Sequence, residues 1–516
     1  MPGMVWPLKD DGAQHGPEPE RETSVNPPSA LRLQFADDMF LRRHDGDASP
    51  AVNQVLWRLD GPYDADRLRD LAEGIAAGSL HRRVVRARVP GARHRWAPAG
   101  TLPVLDLQTA AVPDDEIGTW AQAQADVPLD PAAGRSWRLA AADVVAAPAE
   151  GADDGVAVVG GIVSLTCAHA VADGAALIDA VVRAATHTDP IVVPAPEHGT
   201  RALLSDAADA AAQAAAVARW AQAKARQAAR TRLAAATVEP VPAMIERAPV
   251  IEQAPVVEPA PVVEPVETQV PTSSTRDLVS TSSTTGEPPD DAWRAPVLHV
   301  ELPSERVAEV AAEHGGTPNT WFVAFLARLV HATGRFPGEP VPVALPVATR
   351  GEDDPRANST KIARVTIPAD VLAARDLGWV RASAKEAYAA IGRTEPGVAP
   401  VPLELVQMLP DTVVSRLPQP PVAAALASNL GKPPTGYTQA PGGSVRAVAT
   451  LSHYQGATAA ELRAAGGGLV AFCTTVGAAT TLSVAALDPD RVADADTLRD
   501  LVLAEADAWQ LPAVPW

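Results

Sequence analysis

The stretch Val156–Ile178, VAVVGGIVSLTCAHAVADGAALI, constrains this chain more than any other. From Val156 to Thr166 it is apolar and β-branched, which predicts a buried strand. The strand ends in Cys167, Ala168 and His169, followed by a short loop over Ala170–Ala172 and then Asp173-Gly174. The apolar period next becomes helical, through Ala175, Ala176, Leu177, Ala180, Val181 and Val182. A strand that delivers a histidine to its end is a place for proton chemistry. Imidazole titrates near neutral pH and takes a proton from a hydroxyl or an amine. Asp173 stands too far along the chain to be assumed a direct partner of the ring. Its expected work is to pair elsewhere and fix the loop, with Gly174 supplying a backbone conformation that a Cβ would resist. The plainer alternative makes His169 a satisfied strand-end histidine and Asp173 a helix N-cap. Strand alternation puts Cys167 on the same side as His169, so a Cys–His nucleophile is a further candidate.

Composition narrows the class. A chain of 516 residues exceeds one ordinary core, so two or more domains are expected. A net charge of −19 argues against a nucleic-acid partner, which would need a basic face. The only cysteines, Cys167 and Cys473, lie in apolar runs and read as small buried hydrophobes in a reducing compartment. The N-terminus lacks a hydrophobic signal core and no apolar run is long enough to span a bilayer, so the expected location is cytoplasmic. Contact with a membrane surface through a local patch stays open. No HExxH, CxxC, GxSxG or phosphate loop occurs, so zinc-hydrolase, redox and serine-esterase readings lack support, and neither a metal nor a redox cofactor is expected.

Along the chain, residues 1–28 are polar and Pro-rich and read as disordered. Gln54–Leu59 and Ser136–Ala146 read as strands, Asp64–Ala77 as an amphipathic helix, and Val84–Val89 with His94–Trp96 as a hairpin. Arg201–Ala236 is an Ala-rich helix whose apolar face is mostly alanine. Glu239–Asp291, with its repeated APVVEP and TSST, is low complexity and reads as a Pro-stiffened linker. Order is expected again from Ala295, with helices over Ser304–His314 (Ser304 as N-cap) and Pro318–Ala332. Strands follow over Val341–Val347 and Lys361–Ile367.

The HxxxDG of His169–Gly174 follows FADDMFL (Phe35–Leu41), Leu59-Asp60-Gly61-Pro62 with Asp66-Arg67-Leu68, and VPLDPAAGRSWRL (Val127–Leu139). In this order these segments resemble the wax ester synthase/diacylglycerol acyltransferase family. That family belongs to the chloramphenicol-acetyltransferase-like superfamily, whose signature is HHxxxDG. The later segments Asn319-Thr320, Thr349-Arg350-Gly351, Arg356-Ala357-Asn358, Ala427–Gly431 and Asp488-Pro489 resemble the family's second half. Ala168 stands where the signature has its first His, Thr320 where the family has Asp, and Ala357 where it has Gly.

The resemblance implies an α/β (α+β) fold of two chloramphenicol-acetyltransferase-like subdomains, 29–195 and 295–516. A helix over 196–237 and a linker over 238–294 would join them, with an active-site tunnel between the two. It implies His169 as general base and a structural salt bridge from Asp173 to Arg350, with Arg356 as the alternative partner. Ser428 and Asn429 would polarise an oxyanion or form a strand-end turn. Asn319 would be a ligand or a helix-start residue, and Cys167 would line the tunnel. No cofactor is implied; acyl-CoA is the substrate and an alcohol or diacylglycerol the acceptor, with contact to a membrane or lipid droplet. Two other readings stand beside it: a non-catalytic acyl- or lipid-binding homologue, and a condensation-type enzyme that forms amides or esters from carrier-protein thioesters.

Overall fold

The computed structural model describes residues 31–45, 49–146, 157–237, 293–391, 401–414 and 424–516. The N-terminal 28 residues, and all of the expected linker except Trp293 and Arg294, lie outside the described residues. Among the described residues fifteen strands follow in chain order. The first seven are β1 (Ala51–Leu59), β2 (Arg82–Val85), β3 (Arg95–Pro98), β4 (Val104–Leu107), β5 (Val112–Pro113), β6 (Trp137–Val145) and β7 (Val158–Ala168). The rest are β8 (Val297–Pro303), β9 (Val341–Ala348), β10 (Thr360–Ile367), β11 (Ala425–Gly431), β12 (Val445–Tyr454), β13 (Leu469–Val476), β14 (Ala479–Ala486) and β15 (Val514–Pro515).

The apolar run that opens the sequence argument is β7, the central strand of a six-stranded sheet ordered β12-β1-β7-β6-β4, with β5 beside β6. From Gly160 to Ala168 it is covered on both faces, which is why that run shows no polar alternation. On one face lie the helices Ala65–Ala77 and Gly174–Ala185, which bring Leu68, Leu71, Ile75, Leu177, Ile178 and Val181 onto Val55, Trp57, Val163 and Leu165. The two helices approach so closely that a Cβ on Gly74 would stand 2.9 Å from that of Ala184, a contact only glycine permits. On the other face the helix Ile117–Ala125 packs Ile117, Trp120 and Ala121 against Leu56, Ala140 and Ile162.

A second, seven-stranded sheet, β10-β9-β11-β13-β14-β8-β15, carries the helices Ser304–Glu313, Pro318–Ala332 and Ala495–Ala508 on one face. Pro318–Ala332 is apolar nearly all round, and Trp321 through Leu326 are buried. Ser304 is not the N-cap expected of it: Pro303 takes that place without a side-chain bond, and Ser304 Oγ donates to the Gly477 carbonyl at 3.3 Å.

One strand crosses from the second half of the chain into the first sheet. β12 pairs antiparallel with β1 along its length, from Ala51↔Tyr454 to Leu59↔Val445. Its Leu451 packs on Phe472 and Ala485 of the second sheet. The two sheet-rich bodies are therefore joined by a strand lent from one half of the chain as well as by side-chain contact.

The Ala-rich helix spans Gly199–Thr237. Its alanines offer little area, and ion pairs dock its first turns instead: Arg32–Asp206 and Arg93–Asp209, both at 2.8 Å. Among the described residues no helix is long and apolar enough to cross a membrane.

A candidate active site at the seam of the two bodies

The loop after β7 has to satisfy its backbone largely without a helix or a sheet, and it does so with a backbone bond to β1 and three side chains. His169 N–H donates to Ala51 O at 2.9 Å, which extends the β7–β1 ladder by one bond. Asn358 Nδ2 donates to the carbonyls of His169 at 3.0 Å and Ala170 at 3.4 Å. The buried Arg82 donates to Val171 O, and Asn53 Nδ2 to Ala172 O at 2.9 Å. Asn53 in turn accepts 2.6 Å from Ser452 Oγ of β12. The loop is thus held by both bodies at once.

His169 is half-buried, with Phe40 stacked on its ring at a centroid distance of 3.9 Å and an interplanar angle of 21°. Its Nδ1 lies 3.1 Å from Asn358 Oδ1. Among the described residues Nε2 has no hydrogen-bond partner, and it is not one of their sealed, unpartnered buried atoms, which leaves it the ring's free nitrogen. Burial lowers the ring's pKa below 6.5, outweighing its own carbonyl, Asp173 and Asn358, all of which favour the cation. The ring is therefore neutral at neutral pH. A neutral imidazole with one nitrogen bonded and the other open is equipped to accept a proton at the open one.

Asp173 does two jobs. It caps the helix Gly174–Ala185, accepting from Ala176 N–H at 2.9 Å, and it reaches across the seam to Arg350 at 3.4 Å. Its second oxygen accepts from Ser359 N–H at 2.7 Å and Thr360 Oγ1 at 3.0 Å. Burial alone would raise its pKa; Arg350 and these donors outweigh that and hold the carboxyl below the usual carboxylate range. Arg356 is engaged elsewhere, with Asp354 at 2.6 Å.

Other sequence candidates fall differently. Gly174 is the first residue of its helix and has no positive φ. A Cβ there would meet only Leu430 Cδ2, at an ordinary 3.7 Å, so the backbone need expected of this glycine is absent. Cys167 was expected to line the tunnel. It is fully buried in the first core, its Sγ donates to Ala168 O, and burial pushes its thiol up to about 12, leaving no thiolate to attack. Ala168 is in the same core, so the place of the signature's first His is an apolar packing position here. Asn319 Oδ1 accepts from Asn429 Nδ2 at 2.9 Å, which ties β11 to the start of Pro318–Ala332 rather than to His169. Thr320 forms a reciprocal capping box with Thr317. Ser428 is paired in register with Phe472, which packs against Leu451 of β12, so the two residues share that face of the second sheet.

Sequence reasoning passed over three residues that the structure draws into the site. Asp37, fully buried in the helix Phe35–Asp45, accepts from Asn358 Nδ2 at 2.9 Å and Asn358 N–H at 3.1 Å. Arg82 spans the seam, donating to Pro355 O at 3.0 Å while lying 4.7 Å from the Trp96 ring centroid. Asn358 itself was visible only as part of a motif. Two cavities, of about 20 Å³ beside His453 and about 230 Å³ beside Arg58 and Arg446, are not lined by His169, so neither is the tunnel that the resemblance implies.

No family model matches this chain, and no curated protein matches it. Solved structures do. The condensation domain of the monacolin K polyketide synthase MokA is 12% identical, with a TM-score of 0.50 over 93% of this chain and 96% of that one. The wax ester synthase/diacylglycerol acyltransferase from Marinobacter aquaeolei VT8 is 12% identical with a TM-score of 0.47, covering 93% of this chain and 100% of that one. The first condensation domain of the CDA synthetase is 14% identical with a TM-score of 0.45, covering 96% and 100%. At these identities the likeness speaks to fold alone, and only the first reaches the level at which it carries that argument. The chain has the two-bodied α/β fold of condensation domains, with His169 at the seam.

Proposed function

We propose that this protein is a CoA-dependent O-acyltransferase of the wax ester synthase/diacylglycerol acyltransferase type, with His169 as its general base. The observation that carries the reading is the open Nε2 of a neutral His169 whose other nitrogen is engaged by Asn358. The motif order from Phe35 to Asn358 supports it as well.

In the reaction, Nε2 takes the proton of an acceptor hydroxyl as the oxygen attacks the thioester carbonyl. The C–O bond forms, the C–S bond breaks, and the imidazolium returns its proton to the departing thiolate. Atoms and charges balance without a covalent enzyme intermediate, and no metal or redox cofactor enters. Ser428, on the sheet face that Phe472 turns to β12, is the candidate to steady the carbonyl oxygen. Asp173 and Arg350 hold the loop and touch no reacting atom. The substrates are a long-chain acyl-CoA and an alcohol or diacylglycerol, met in the cytoplasm or at a lipid surface that the protein contacts peripherally.

The test is thiol release from a panel of acyl-CoAs and acyl carrier proteins with long-chain alcohols, diacylglycerol or amines as acceptors. Release from acyl-CoA that depends on a hydroxyl acceptor supports the proposal. Turnover confined to carrier-protein thioesters or amines makes the protein a condensation-type enzyme. Tight acyl-CoA or lipid binding without release with any acceptor makes it a binding protein.

A further inference from the structure

Asn358 presents an amide whose two ends have fixed surroundings. Its Nδ2 faces three acceptors: Asp37 Oδ1 at 2.9 Å, His169 O at 3.0 Å and Ala170 O at 3.4 Å. An amide oxygen in that place would meet a carboxylate and two carbonyls with no proton among them. Oδ1 is therefore the end turned to His169, and Nδ1 must carry the hydrogen to satisfy it. We propose that Asp37 is a positioning residue that sets the tautomer of His169 through Asn358, keeping Nδ1 protonated and Nε2 open. The inference rests on the acyltransferase reading only for its catalytic meaning.

The surroundings of Asp37 suit such a lock. Its second oxygen accepts Gln34 N–H at 2.8 Å, so both oxygens are oriented. Asn358 N–H also donates to Oδ1, which fixes the backbone that carries the amide. Burial pushes the carboxyl up to about 6 against Asn358, Gln34 and Arg82, so above that pH it is a carboxylate and can only accept. Arg82 is the cation that faces it, with Arg350, Asp173 and Cys167 next beyond. Asp37 and Phe40 stand three residues apart on one helix, so a single element both orients the ring's partner and stacks on the ring. Asn358 comes from the second half of the chain and His169 from the first, so the base is armed only while the bodies are docked.

The plainer account is that Asp37 merely closes the first turn of its helix through Gln34, while the ring's own carbonyl selects the tautomer. Ring ¹⁵N shifts of His169 separate the two. They are read at about pH 8, where a carboxyl of this kind is ionised, on the full chain with ¹⁵N-histidine and assigned by loss of the signal in His169→Gln. The proposal expects the Nδ1–H pattern in wild type. In Asp37→Asn, whose amide lets Asn358 turn over and donate to Nδ1, it expects a shift toward Nε2–H. In a substrate pair that turns over, kcat falls at least about tenfold while KM stays within about twofold. A wild-type Nε2–H pattern overturns the proposal, as does an unchanged pattern in a folded Asp37→Asn. Should that variant not fold, Asn358→Ala decides: an unchanged Nδ1–H pattern there overturns the relay, and a mixed one supports it. The tautomer needs no substrate, so the result is independent of whether the chain proves to be an acyltransferase.

Discussion

The pair Asp173–Arg350 should couple the two bodies by an amount that can be measured. At 3.4 Å, with side chains 3% and 9% exposed, the two charges attract by about 332/(20 × 3.4), or ~5 kcal/mol, at an effective dielectric constant near 20. Desolvation removes much of that gain, and the remainder appears when one partner is taken away. Arg350→Met leaves Asp173 with three donors, Ser359 N–H, Thr360 Oγ1 and Ala176 N–H, and should cost about 3 kcal/mol. Asp173→Asn preserves a good N-cap residue but leaves Arg350 with the carbonyls of Asp354 and Ala357 and the charge of an Asp354 carboxylate that Arg356 already pairs, and should cost about 3 kcal/mol. The double variant should fall short of the sum by about 2 kcal/mol. Urea unfolding of all four proteins, followed by tryptophan fluorescence, gives the cycle. Because the folded pKa of Asp173 is depressed, its contribution is present above its unfolded value, 3.8, and is lost as pH falls through the folded value. A coupling below about 0.5 kcal/mol would refute the reasoning, since it would put the pair in the class of exposed ion pairs.

Three further outcomes follow from the site. The acidic limb of kcat/KM should have its midpoint below 6.5, because burial lowers His169 and the neutral ring is the active form; a midpoint above about 7 would contradict that environment. Cys167→Ala should keep activity within about threefold, and iodoacetamide should label neither cysteine before urea is added, since burial pushes both thiols up to about 12. Rapid labelling of native Cys167 would show that the core is open there. Gly174→Ala should be neutral or stabilise by up to about 1 kcal/mol, as alanine suits a first helical turn where its Cβ makes only an ordinary contact with Leu430. A loss above about 1 kcal/mol would restore the backbone role that the motif suggests.

How much of this was legible in the sequence depended on whether a feature is local. The strand, loop and helix around His169 follow from a change of apolar period within a few residues, and the structure has β7 and the helix Gly174–Ala185 there. The fold class followed from motif order. Alternation alone does not say which body a strand joins, so the place of β12 beside β1 was out of reach. The same limit hid the site's polar frame. Asp37 and Asn358 both lay inside quoted motifs, but their contact spans 321 positions and leaves no local pattern. Arg82 gave no signal, because a buried arginine looks like any other until its carbonyl partners are known. Cys167 shows the converse limit: alternation sets it on the His169 side, and burial, which alternation does not report, is complete at 167 and partial at 169.

The central claim is that His169 Nε2 takes the acceptor's proton. The most direct test is product formation, followed by mass spectrometry, for wild type and His169→Gln with the best thioester and acceptor found. Glutamine keeps a polar side chain of similar reach but cannot accept a proton at neutral pH. The account predicts that kcat falls by about 10²–10⁴ while the variant unfolds at the urea concentration of wild type. Turnover within about threefold of wild type would contradict it and move the chemistry away from the seam.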